Sequence, residues 1–148
     1  MTSEVHLVKP GQGQIADLGV VKMRILASGD ATGREFTLAE FAGGAGPWTV
    51  LHVHNLTNES FYVAEGSFTF AVGDEVVSAE RGDYLMIPRG TPHMMTGGHD
   101  GGTLLTLMVP GGNEDMFFEL SRLGPESITD PAVRAAVAQK YDSVPVQS

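Results

Sequence analysis

Between Val20 and Pro110 the chain runs as a series of short apolar segments, each cut off within a few residues by a turn signal. Such spacing leaves no room for a long amphipathic helix. It fits many short strands closed into a sandwich or barrel. Nineteen glycines and eight prolines in 148 residues supply the turns. Candidate strands cover 20–26, 35–41, 48–54, 61–64, 68–72, 75–79, 84–87, 93–96 and 103–109. Phe36, Leu38 and Phe41 are the expected apolar anchors of the second. Gly73-Asp74 reads as a hairpin turn, and Gly97 to Gly102 as a break in the sheet.

After Pro110 the period changes. Asn113 is a candidate helix cap, with Glu114 and Asp115 suited to the positive helix start. Met116, Phe117, Leu120 and Leu123 then share a helical face. A second helix is expected over 131–141, capped by Asp130 with Pro131 at its first position. The expectation is one all-β domain over 1–148, with a barrel over about 20–110 and a short helical tail over about 113–141.

Four residues carry the chemistry. Within 48–54, alternation puts Trp48, Val50, His52 and His54 on one strand face. Glu59 follows past the Asn55-Leu56-Thr57-Asn58 turn, where an antiparallel neighbour can return its carboxylate to the histidines. His93 comes after a Pro-Arg-Gly-Thr-Pro turn. Any one of these histidines is readily explained as a fold residue. Together, in an apolar interior, three imidazoles and a carboxylate are costly without a partner, and a divalent transition metal removes that cost. Iron, nickel, cobalt, manganese, copper and zinc all accept this donor set. His6, near the terminus, and His99, in a glycine-rich loop, read as solvated.

Gly46, five residues, His52-Val53-His54, four residues, Glu59, six residues, Gly66 resembles the first motif of the cupin superfamily. Gly82, five residues, Pro88-Arg89-Gly90, two residues, His93 resembles the second. Gly97 departs from the pattern, standing where that motif usually ends in asparagine, so the local turn is expected to differ. The resemblance implies a double-stranded β-helix, or jelly roll, with a metal in the barrel mouth on His52, His54, Glu59 and His93. It also implies a homodimer.

The segment from Val109 to Gly112, followed by Met116 to Glu119, is weakly similar to the tail of quercetin 2,3-dioxygenase-like single-domain cupins. By that resemblance Phe117 and Phe118 gate the pocket, but for at least one of them packing of an amphipathic helix on the barrel is the better account. The activity implied is a metal-dependent dioxygenase acting on an aromatic or enolic small molecule, with Glu59 as catalytic base. The alternatives are a non-oxidative cyclase or isomerase of polyketide-like substrates and a non-catalytic small-molecule-binding module.

Strand parity places Trp48, Val50, Phe61, Val63 and Met95 inward, with Val63 expected in the core and the others, with Phe117, as pocket wall. No lysine or arginine falls on these positions, which argues against a carboxylate or phosphate ligand. A formal charge of −9 disfavours nucleic acid and anionic membranes as partners. With no cysteine, thiol catalysis, disulfides and cysteine-ligated zinc are excluded. Residues 1–10 lack a basic stretch followed by an apolar run, and no segment nears the roughly 20 apolar residues of a membrane helix. The expectation is a cytoplasmic protein.

Overall fold

A computed structural model describes residues 5–146. Ten strands and three helices follow in the order β1 (Ile15–Asp17), β2 (Val21–Ala27), β3 (Thr37–Gly43), β4 (Gly46–Pro47), β5 (His52–Val53), β6 (Asn58–Val72), β7 (Glu75–Glu80), β8 (Tyr84–Ile87), β9 (His93–Val109), α1 (Glu114–Arg122), α2 (Pro125–Ile128), α3 (Pro131–Gln139) and β10 (Val144–Pro145). Among the described residues the strand pairings are all antiparallel.

Two long strands, β6 and β9, organise the rest. The later half of β9 pairs with β3 and with the start of β6, while its early half pairs with β4, β5 and the end of β6. Each long strand therefore passes from one layer of the jelly roll to the other. The crossing lies at 97–102 on β9 and around Gly66 on β6, where the β6–β9 register shifts. Those shifts also flip side-chain parity. Phe61 and Val63 face the core before the crossing, and Phe68 and Phe70 face it after. Gly66 has a φ of 75°, and a Cβ there would lie 2.0 Å from the Gly101 carbonyl oxygen. The expected sheet break at 97–102 is thus a crossing inside one continuous strand.

Other expectations shift locally. Strand β3 begins at Thr37, and its buried face is Thr37, Ala39 and Phe41, so Phe36 and Leu38 fall on the opposite parity from Phe41. Residues 48–51 are not a strand. The backbone N–H of Trp48 and of Thr49 both donate to the Met95 carbonyl, and the Thr49 hydroxyl accepts from Met95 N–H. Alternation therefore fails there, and Val50 is 62% exposed instead of sharing the inner face. Gly97 continues the β9 ladder opposite Gly46. A Cβ at that position would approach Gly44 O to 2.4 Å and the Trp48 indole nitrogen to 2.9 Å. Any larger residue would collide with the loop that holds Trp48.

The tail is helical, as expected, but its ends differ. Asn113 makes no side-chain cap bond at α1. Glu114 is drawn inward instead, 4% exposed, accepting from Gly29 N–H at 2.6 Å, the Thr37 hydroxyl at 2.6 Å and Gly112 N–H at 3.0 Å. This carboxylate fastens the helix start to the barrel. Asp130 caps α3 through Ala132 N–H, and that helix ends at Gln139, two residues before the expected limit. Past it, β10 pairs with β5 and returns the chain to the strand carrying His52.

Candidate metal centre

The four residues converge. His52 and His93 sit directly opposite one another on β5 and β9. Glu59 enters from β6 between its neighbours Ile87 and Met108. His54 follows β5, and its carbonyl accepts from Gly90 N–H at 2.7 Å, joining the two histidine-bearing segments. All four are buried, and their nearest ligand atoms lie within 4.8 Å of one another. Donors about 2.1 Å from one ion stand at most about 4.2 Å apart, so small side-chain rotations suffice to close the set on a metal.

The ring orientations decide what these groups can accept. His52 Nδ1 lies 2.8 Å from Val50 O, His54 Nδ1 2.8 Å from Asp142 O, and His93 Nδ1 2.9 Å from Thr91 O. A carbonyl only accepts, so Nδ1 of each ring carries a proton, and in the neutral tautomer this leaves, the Nε2 lone pair is directed into the cluster. Glu59 Oε1 faces two of these nitrogens, at 3.3 Å from His93 and 3.6 Å from His54. Lone pairs against a carboxylate repel unless a proton or a metal ion lies between them. His54 Nε2 is buried with no hydrogen-bond partner. The donor set and this orphaned nitrogen both fit a divalent transition metal.

Electrostatics agree. Burial, reinforced by His93, pushes His52 down to about 4, so this ring stays neutral and able to ligate. For His54 burial works against the charge, but the Glu59 carboxylate outweighs it and raises the ring above its usual value. Burial opposes ionisation of Glu59, yet the facing His54 and His93 rings outweigh it and hold the carboxyl well below the usual carboxylate range. The cluster concentrates one negative charge and three nitrogen donors in an apolar interior.

A cavity of about 370 Å³ opens beside it, with His52, His54 and Glu59 on its wall. Trp48, Phe61, Met95 and Phe117 line it. Val50 also lines it, but from the exposed mouth. Val63 is core. Phe117 stacks edge-on against Phe41, with centroids 5.1 Å apart. Phe118 packs on the barrel core and is not part of the wall. His99 is almost fully exposed, and His6, also exposed, bonds Leu26 O.

Three contributors escape strand parity as read from the sequence. Thr106, on β9, is buried on the cavity wall, and its hydroxyl has no partner. Alternation with Leu104 and Met108 was the available signal. Asp142, in the tail, has a φ of 61°. Its carboxylate accepts from Asn55 N–H, Leu56 N–H and the Thr57 hydroxyl, while its carbonyl orients His54. Arg134, on α3, reaches the cavity from outside the barrel. The inward strand positions carry no cation, but the wall as a whole does.

The sequence profile described as "Cupin domain" matches residues 37–110, half of the chain. The chain belongs to the Cupin_2 family. Over 88 residues this cupin is 34% identical to the quercetin 2,3-dioxygenase of Bacillus subtilis (strain 168), a match covering 60% of the chain and 26% of that protein. The cupin thus spans about a quarter of the length of that relative. Its fold is similar to that of KdgF from a Halomonas species (TM-score 0.65, 16% identity, covering 73% of this chain and 97% of the other). It is also similar to an RmlC-like cupin from Shewanella frigidimarina (TM-score 0.63, 24% identity, covering 78% and 98%). At these identities both likenesses describe the fold alone.

Proposed function

We propose that this cupin is a metal-dependent dioxygenase acting on an aromatic or enolic small molecule. The observation carrying the proposal is the inward convergence of three Nε2 lone pairs and a carboxylate beside a largely apolar cavity. The distant similarity to a quercetin 2,3-dioxygenase supports the choice of reaction class. His52, His54, Glu59 and His93 would hold the metal. When bound, that ion would supply Lewis acidity and a meeting point for substrate and dioxygen.

The chain's own residues do the remainder. Trp48, Phe61 and Met95 exclude water from one side of the cavity and offer apolar surface to a ring system. Glu59 is ionised at neutral pH, so an oxygen of its carboxylate can accept the proton of a substrate enol or phenol. Thr106 offers a hydroxyl that no other group among the described residues uses.

Oxygen uptake with a panel of flavonols, on iron-, nickel- and cobalt-loaded protein, tests the reaction. Uptake with at least one metal form is expected. No uptake by any form ends the dioxygenase reading. Product formed without oxygen would then favour the cyclase or isomerase reading, and ligand recovered unchanged the binding module.

A further inference from the structure

The cavity wall combines a buried donor cluster, an apolar stretch and a solvent-exposed cation. In the cluster His54 and Glu59 are 4% and 6% exposed. Trp48, Phe61, Met95 and Leu104 supply the apolar stretch. Arg134 is a wall residue and also solvent-exposed, which places it at the rim. It is the single lysine or arginine on this wall. The nearby capping carboxylate, Asp130, is engaged by Ala132 N–H. Among the described residues the Arg134 guanidinium has neither an ion pair nor a hydrogen bond.

An unpaired planar donor fork at the mouth of an apolar cavity suits an anionic group on a bound molecule. We propose that Arg134 is a specificity-determining residue, and that the cavity takes an aromatic or enolic molecule bearing an anionic group at the end remote from the histidine cluster. This inference deepens the proposed function and rests on its assignment of the cavity as the substrate site. It adds a substrate class: aromatic acids whose hydroxyl enters first and whose carboxylate stays at the rim. The anion need not lose its hydration fully, because the rim is open to water.

The test compares 6-hydroxy-2-naphthoate with 6-hydroxy-2-naphthamide, which share shape and a distal hydroxyl but differ in charge. Binding of each to the metal-loaded protein is measured by calorimetry at low ionic strength. The naphthoate is expected to bind about three- to fivefold more tightly, the range of a solvent-exposed ion pair. Arg134→Gln should remove the preference, Arg134→Lys should retain part of it, and Arg134→Glu should reverse it. Arg134 is exposed, so these variants keep the barrel intact. Equal affinities in the unaltered protein, a preference that survives Arg134→Gln, or failure of both ligands to bind would overturn the proposal. Binding needs no turnover. A charge preference without oxygen uptake on any substrate therefore separates this inference from the proposed reaction.

Discussion

At the scale of single residues, the cluster's chemistry follows from which ring nitrogens are already committed. Each histidine spends Nδ1 on a backbone carbonyl, leaving Nε2 for a ligand. Glu59→Gln should retain some metal while lowering turnover by about a hundredfold or more, the usual worth of a positioned base. Turnover unchanged in steady-state assays would deny Glu59 a proton-transfer role. Thr106→Val removes a buried hydroxyl with no partner, so the folded state should lose little or even gain up to about 1 kcal/mol. Its expected effect is on ligand affinity, and a urea midpoint well below that of the unaltered protein would show the hydroxyl to be structural.

Protonation gives a further expectation at this scale. Beside Glu59, His54 holds a proton more tightly than an ordinary imidazole in the metal-free protein, whereas burial lowers His52 to about 4. A metal must displace the His54 proton, so apparent metal affinity should fall as pH drops below neutral. Cobalt titrations at several pH values check this, and affinity that holds steady or rises on acidification would contradict it. The histidine pair, the carboxylate and His93 were legible in the sequence because residue type and spacing carry the signal. Asp142 was not legible, because its role depends on a tail contact 88 positions from His54.

At the scale of elements, the helical tail is part of the site. Glu114 fixes α1 to the barrel through three hydrogen bonds, and β10 pairs with β5 beside His52. Glu114→Ala leaves two backbone N–H groups without that acceptor and should cost about 2–4 kcal/mol in denaturant unfolding. A loss below about 0.5 kcal/mol would mean that the fastening contributes nothing. Strand boundaries were readable where a turn residue marks them, as at Gly73-Asp74. They were misread at 48–51, where the backbone bonds irregularly while its composition stays strand-like, and at 97–102, where a glycine-rich, turn-like stretch crosses between layers inside one continuous strand. Val50 was placed inside for that reason. The short elements β1, α2 and β10 carry too few residues to show a period.

At the scale of the whole molecule, one fold joins two chemical environments. The barrel supplies the donor cluster and an apolar wall, and the tail supplies a roof and the cation at its rim. No helix among the described residues is long and apolar enough to cross a membrane. The double-stranded β-helix was legible because two spaced motifs and a rhythm of short strands point to the same architecture. The shape of the cavity was not, since it arises where the tail meets the barrel.

The most direct measurement is the metal content of the natively purified, dialysed protein by elemental analysis, alongside His52→Ala and His93→Ala. One equivalent of a divalent transition metal per chain, falling to a small fraction in either variant, is the predicted result. A folded protein that stays metal-free after incubation with each candidate ion, or variants that keep full occupancy, would contradict it.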